Sequence, residues 1–400
     1  MNKRFYDFDE IIDRAGTNSD KWECMHFLDP RADKGTLPLW VADMDFTCCD
    51  GIIEALKQRS DRRIFGYGCP SEKMYHVLSS WYSKRFDWNF ESESVHYAPG
   101  IVPAIGYFID ILTKPGDGVI IFSPVYYPFA KTIKNHGRKV INSSLINDGN
   151  GYYVIDFDDL EKKVVDNKLL LFCSPHNPVG RVWTEMELRR LLDICIRHNV
   201  TIISDEIHND IIRRNKKHFI LETLAPQYKD YILTCVAPTK TFNLAGLQYS
   251  NIIIHNPEIR RAWHHHVSEI CGISRPNVLS IAAVQAAYEY GEEWLEQLID
   301  YLDGNMQFIN QFLKERLPKS IYYIPEGTYL AWINLGAYDF NEDMYGLFIT
   351  EGKILIENGF VFGDEGRDFV RINAACPRSI LTECFLRMER VIKKANNTHL

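Results

Sequence analysis

The stretch Leu169-Leu170-Leu171-Phe172-Cys173-Ser174-Pro175-His176-Asn177-Pro178-Val179-Gly180 runs from unbroken apolar residues into a polar turn, and Thr201-Ile202-Ile203-Ser204-Asp205-Glu206-Ile207-His208 repeats the pattern. A short run with no polar face reads as a strand covered on both sides. Between the two, Thr184-Glu185-Met186-Glu187 has the capping-box pattern, and Leu188, Leu191, Leu192 and Cys195 follow at i, i+3, i+4 and i+7. That is a helix packed by one stripe, and strand, helix, strand in this order is the βαβ unit of a parallel sheet. Similar runs at 119–122, 231–235 and 251–254 extend the series. The fold class is therefore α/β, a mainly parallel sheet between helices.

Past about residue 285 the pattern changes. A long amphipathic helix is expected over 294–317 and strands over 329–335 and 369–373, which reads as a smaller α+β domain. The expected division is an N-terminal arm over 1–45 that packs on the smaller domain or on a partner subunit, a large domain over 46–285, and the small domain over 286–400.

The chain has 400 residues, enough for two cores, with 46% apolar and 24% charged residues, as in ordinary folded proteins. Its net charge is −8 and no basic run is long enough to follow a phosphate backbone, so nucleic acid is not an expected partner. No segment approaches the roughly 20 apolar residues of a membrane helix, and the first residues lack the apolar centre of a signal peptide. The expectation is a cytoplasmic protein that does not meet a membrane. Ten cysteines at irregular spacings form neither a disulfide framework nor a metal knuckle. His264-His265-His266 reads as a solvated helix face, because consecutive helical residues diverge, and no metal is assigned. Gly149-Asn150-Gly151 lacks the third glycine of a dinucleotide site, and Trp81, Tyr82, Phe86 and Trp88 read as packing residues.

In open α/β sheets ligands gather at the carboxyl ends of the strands. There the sequence offers Asn177, Asp205 with His208, Pro238-Thr239-Lys240, and Tyr126 after the 119–122 run. Singly, such residues usually cap turns or face water. Together, an amine, an acid, an amide and an aromatic ring match the needs of a pyridine-aldehyde cofactor. Lys240 can form the Schiff base, Asp205 can keep the ring nitrogen protonated, Asn177 can donate to the ring hydroxyl, and Tyr126 can stack on the ring. For a cofactor phosphate, Gly100 opens a helical stretch whose first amides, at Ile101 and Val102, can bind a dianion, and Thr239 can add a hydroxyl.

Asn177-Pro178, Ser204-Asp205-Glu206-Ile207-His208 and Pro238-Thr239-Lys240-Thr241-Phe242-Asn243-Leu244-Ala245-Gly246 resemble the aspartate aminotransferase superfamily, fold type I of the pyridoxal phosphate enzymes. Leu39-Trp40-Val41-Ala42-Asp43-Met44-Asp45-Phe46, Phe65-Gly66-Tyr67 and the stretch from Phe369 through Arg371 to Arg378 are similar to its MalY/PatB group of cystathionine β-lyases. The resemblance runs nearly end to end. It implies a seven-stranded sheet, pyridoxal 5'-phosphate as cofactor, and a homodimer in which Tyr67 reaches the neighbouring subunit's cofactor phosphate. It further implies that Arg371, with Ala42 nearby, receives the substrate carboxylate, and that His208 replaces the tyrosine that many aminotransferases set near the ring oxygen. One departure stands out: many aminotransferases hold the phosphate with an arginine eight residues after the lysine, and here that residue is Gln248. The expected activity is carbon–sulfur β-elimination, releasing a thiol, pyruvate and ammonia. An aminotransferase is the alternative, and a non-catalytic effector-binding module the rival from another class.

Overall fold

The computed structural model describes residues 4–273, 275–340 and 343–397. Its centre is a seven-stranded sheet built from β1 (Val95–Ala98), β2 (Gly118–Ile121), β3 (Lys139–Asn142), β4 (Leu169–Cys173), β5 (Thr201–Asp205), β6 (Ile232–Val236) and β7 (Ser250–Ile253), in the order β1-β7-β6-β5-β4-β2-β3. β7 runs antiparallel to both neighbours, and the pairings from β6 through β3 are parallel. Apolar runs carry no direction, so the reversal of β7 was invisible in the sequence. β1 and β3, edge strands of mixed polarity and mostly half-buried, were missed for the complementary reason.

Side chains alternate across the sheet. Ile120, Leu170, Phe172 and Ile202 enter one apolar cluster with Leu188, Leu191, Leu192 and Cys195 of helix α2 (Glu185–His198). Val119, Ile121, Leu171 and Ile203 enter another with Ala104, Ile105, Phe108 and Ile109 of helix α1 (Ile101–Leu112). Covering both faces is what leaves the strand ends as the site available to a ligand. α2 begins at the expected capping box: Glu187 N donates to Thr184 Oγ1 at 3.3 Å, and Thr184 N donates to Glu187 Oε2 at 2.8 Å.

A second, antiparallel sheet comprises β8 (Ile321–Tyr322), β9 (Leu330–Asn334), β10 (Glu357–Asn358) and β11 (Phe369–Asn373), ordered β8-β9-β11-β10. Helices α4 (Glu292–Arg316) and α5 (Arg378–Asn397) pack on it, with Met306, Ile309, Leu381 and Phe385 joining Ile333 and Ile372; α3 (Pro238–Thr241) is the short turn that carries Lys240. In the N-terminal segment, Leu37–Pro38 pairs in parallel with Ile354–Leu355, and Phe8 packs on Phe46 and Trp294. Trp81, Tyr82 and Trp88 are buried and Phe86 packs against them. His264–Ile270 forms a π-helical turn in which His264 and His265 are exposed. Among the described residues no acid, histidine or cysteine cluster could hold a metal, and no helix is long and apolar enough to cross a membrane. All ten cysteines are free thiols, most of them buried.

Glu187 has a second task. Arg181, 1% exposed, donates to it through Nη2 and to Glu326 through Nε. Thr184→Ala should therefore lower unfolding stability by about 1 kcal/mol, the usual cost of losing an N-cap. Glu187→Ala should cost clearly more in urea titrations, because it also strips a counter-ion from a buried guanidinium; equal losses would show that the cap alone matters.

Candidate active site

β2, β4, β5 and β6 deliver their following residues to one edge of the sheet. Asp205 is the last residue of β5, in register with Cys173 on one side and Cys235 on the other. Lys240 lies in α3, directly after β6. This turn is fixed from below: Thr241 Oγ1 donates to Asp210 Oδ2 at 2.9 Å, and Asp210 in turn accepts from Trp81 Nε1 at 3.1 Å and lies 3.0 Å from Arg85 Nε. Pro238 at its start suits the first helical position, where no amide donor is needed.

Lys240, Asp205, Asn177, His208, Tyr126 and Arg371 line one cavity, and Ala42, Ile101 and Val102 are also in its wall. Lys240 Nζ donates to the Ala42 carbonyl at 2.7 Å, and the Tyr329 hydroxyl donates to the same oxygen at 3.0 Å. Desolvation pulls the lysine down to about 8, with Arg371 pushing the same way and Asp43 and Asp205 opposing. Asp205 is lifted to about 7, chiefly by burial, while the Ile207 amide donating to its Oδ1 at 3.1 Å opposes the rise. Burial, then the nearby Lys240 and Arg371, lower His208 to about 3, so its ring is neutral, and its Nδ1 is buried without a partner. Desolvation keeps Tyr126 protonated, with its phenol near 12. Arg371 donates through Nη1 to Asn177 Oδ1 at 3.1 Å and through Nη2 to the Trp40 carbonyl and Glu357 Oε2, each at 3.0 Å.

Three expected residues lie off this lining. Gly100 is the residue before α1, which no side chain caps, so it sits one position behind Ile101. Thr239 adjoins Lys240 and is nearly buried. Tyr67 is 98% exposed and outside its own chain's cavity. Gln248 is also exposed, and its carbonyl accepts from the Tyr97 hydroxyl at 3.2 Å.

Sequence reading overlooked Glu357, Tyr127 and Cys173, which also line the cavity. Glu357 ends the apolar run Ile354-Leu355-Ile356, and an acid closing such a run was the available signal. Tyr127 was hidden by its neighbour Tyr126, and Cys173 read simply as the last strand residue.

The sequence model of the aminotransferase class I and II family matches residues 35–384. Cystathionine beta-lyase PatB of Bacillus subtilis (strain 168) is 38% identical over 388 residues, 96% of this chain and 99% of that protein. The pyridoxal phosphate-bound C-S lyase of Staphylococcus hominis superposes with a TM-score of 0.92 at 37% identity, covering 97% of this chain and 98% of that one. Cystalysin of Treponema denticola, whose structure contains pyridoxal 5'-phosphate, superposes at 0.93 with 38% identity over 98% of this chain and all of its own.

With its amine near 8, Lys240 should be the fast-reacting lysine of the cofactor-free protein. Its rate of imine formation with a carbonyl reagent should rise with pH and level off just above 8. A rate still climbing towards 10.5, the ordinary lysine value, would mean that the cavity does not depress it.

Proposed function

The chain belongs to the aminotransferase class I and II family, and we propose that it is a pyridoxal 5'-phosphate-dependent carbon–sulfur β-lyase, releasing a thiol, pyruvate and ammonia from cystathionine or a cysteine S-conjugate. The observation that carries this reading is the meeting of an amine of lowered basicity, Lys240, and a buried carboxyl, Asp205, in one cavity that Arg371 also enters. The preference for elimination over amino transfer is supported by the relatives named for lyase activity.

A phosphorylated pyridine aldehyde fits the residues present. Lys240 offers the amine that its aldehyde takes, Asp205 an acceptor for the proton on its ring nitrogen, and Tyr126 a ring face. Asn177 has its Oδ1 engaged by Arg371, which leaves its Nδ2 to donate to the ring hydroxyl. The unpartnered His208 Nδ1 suits a ring oxygen, and the uncapped start of α1 at Gly100, Ile101 and Val102, with Thr239, suits the phosphate. Once bound, the cofactor supplies the electron sink for the substrate's α-carbon.

The rest is the work of this chain. A lysine near 8 carries a far larger neutral fraction at physiological pH than an ordinary lysine, and in that form it can take the α-proton as general base. A cationic nitrogen brought against Asp205 reverses the effect of burial and returns it to the carboxylate form. Arg371 takes the substrate carboxylate through its guanidinium plane beside Ala42, fixing the orientation of the bond from the β-carbon to sulfur. The same reading includes a homodimer, with exposed Tyr67 reaching the other subunit's phosphate group, a division near residues 46 and 286, and cytoplasmic residence, in keeping with ten free thiols.

Supplied with L-cystathionine alone, the purified holoenzyme should yield homocysteine, pyruvate and ammonia in equal amounts, and Lys240→Ala should abolish this. If neither thiol nor pyruvate forms until a keto acid is added and amino transfer follows, the protein is an aminotransferase; if nothing turns over, the effector-binding reading replaces both. Arg371→Lys should weaken a substrate-like carboxylate inhibitor by about 2 kcal/mol, because the two-pronged contact is lost while the charge remains. Unchanged affinity in a titration would remove Arg371 from that role.

A further inference from the structure

Arg371 enters the cavity with its best donors already committed. Both Nη2 hydrogens are used, one by the Trp40 carbonyl and one by Glu357 Oε2, while Nη1 serves Asn177 and Nε is buried without a partner. A carboxylate arriving as a two-pronged acceptor must share or displace one of these bonds. Of the three acceptors, Trp40 offers a fixed backbone oxygen and Asn177 a neutral amide. Glu357 alone is a carboxylate, 5% exposed and directly across from Arg371 in the β10–β11 register.

We propose that Glu357 is a resident stand-in for the substrate carboxylate, neutralising Arg371 in the free enzyme and competing with the incoming amino acid and the departing keto acid for the same guanidinium. A buried guanidinium without a counter-ion is costly, so the free enzyme needs an anion at this place. A second anion on the same cation then meets the repulsion of the first across a poorly solvated gap. Burial already pushes the Glu357 carboxyl upward and Arg371 opposes it, as expected for an anion whose comfort depends on that one partner. Arg371 does not need Glu357 for its orientation, since Asn177, the Trp40 carbonyl and the Phe362 ring, 4.7 Å from the guanidinium carbon, remain. Glu357 thereby loosens the grip on every α-carboxylate, which favours release of product over tight holding of substrate.

This inference rests on Arg371 as the carboxylate-binding residue, and the experiment separates the two claims. Holoenzyme is titrated with L-alanine and with L-alaninamide, which lacks the carboxylate, following the cofactor absorbance. Glu357→Gln should bind alanine about tenfold more tightly than the parent, with alaninamide changed by less than about twofold. Glu357→Asp, which keeps the charge, should stay near the parent, and Glu357→Ala repeats the test if the amide disturbs folding. Unchanged or weaker alanine binding in the charge-free variants, with Arg371→Lys still weakening it, overturns the stand-in role alone. Indifference of alanine binding to Arg371→Lys overturns the carboxylate-site reading itself.

Discussion

An amine held in a cavity needs an acceptor, and the one Lys240 uses is the carbonyl of Ala42. That oxygen belongs to a loop with no regular structure, so its position has to be imposed from outside. Asn373 Nδ2, at the end of β11, donates to the Val41 and Asp43 carbonyls at 2.8 Å each. Asn243, three residues after Lys240, donates to the Met44 and Phe46 carbonyls at 3.0 Å and accepts from Met44 N. From the N-terminal segment, Lys21, fully buried, donates to the Asp43 carbonyl at 2.9 Å and to Asp45 Oδ2 at 2.5 Å, while Arg14 bridges Asp43 and Asp45. Two sheets and the N-terminal segment thus converge on one loop, and the position of a single carbonyl depends on all three.

The same loop serves Arg371, because the Trp40 carbonyl accepts from its Nη2, and the Trp40 indole is itself tied to the Lys21 carbonyl at 3.1 Å. The lysine on the turn that follows the first sheet's β6 and the arginine within the second sheet therefore share a scaffold between residues 39 and 46. Relative movement of the two sheets would disturb both cations at once. This gives the buried Lys21–Asp45 pair a purpose that its stability alone would not justify, since a buried ion pair is often no better for stability than well-packed apolar groups.

Much of this was legible in the chain. Continuous apolar runs at 169–173 and 201–204 identified buried strands because such runs have no solvated face, and the chemistry followed from what stands at their ends. Asn177, Asp205, Lys240 and Tyr126 do meet in one cavity, because parallel strands deliver their following residues to one edge. What escaped depends on partners far apart in sequence. Glu357 matters through Arg371, paired across two short strands, and Lys21 looks like any surface lysine until Asp45 is seen beside it. Strand direction escaped at β7 for a similar reason: it is a property of the connection, and the run itself is indifferent to it.

The charges of the cavity explain why these pairings cannot be read one at a time. Arg371 enters as a cation, Lys240 as a potential cation, and Asp205 and Glu357 as potential anions, and the protonation of Lys240, Asp205 and Glu357 is set by the loss of water and by their charged neighbours. An amino acid brings one more of each sign, and a pyridine ring with a protonated nitrogen brings another cation. Asp205, near 7 because burial outweighs the pull of Lys240, has room to become an anion when that ring nitrogen arrives, whereas Glu357 already has its cation and gains nothing from a second carboxylate. One acid of the cavity is thus disposed to welcome a ligand and the other to resist one. The asymmetry follows from position alone: Asp205 ends a parallel strand whose neighbours at that level are cysteines, while Glu357 lies across a β-ladder from an arginine.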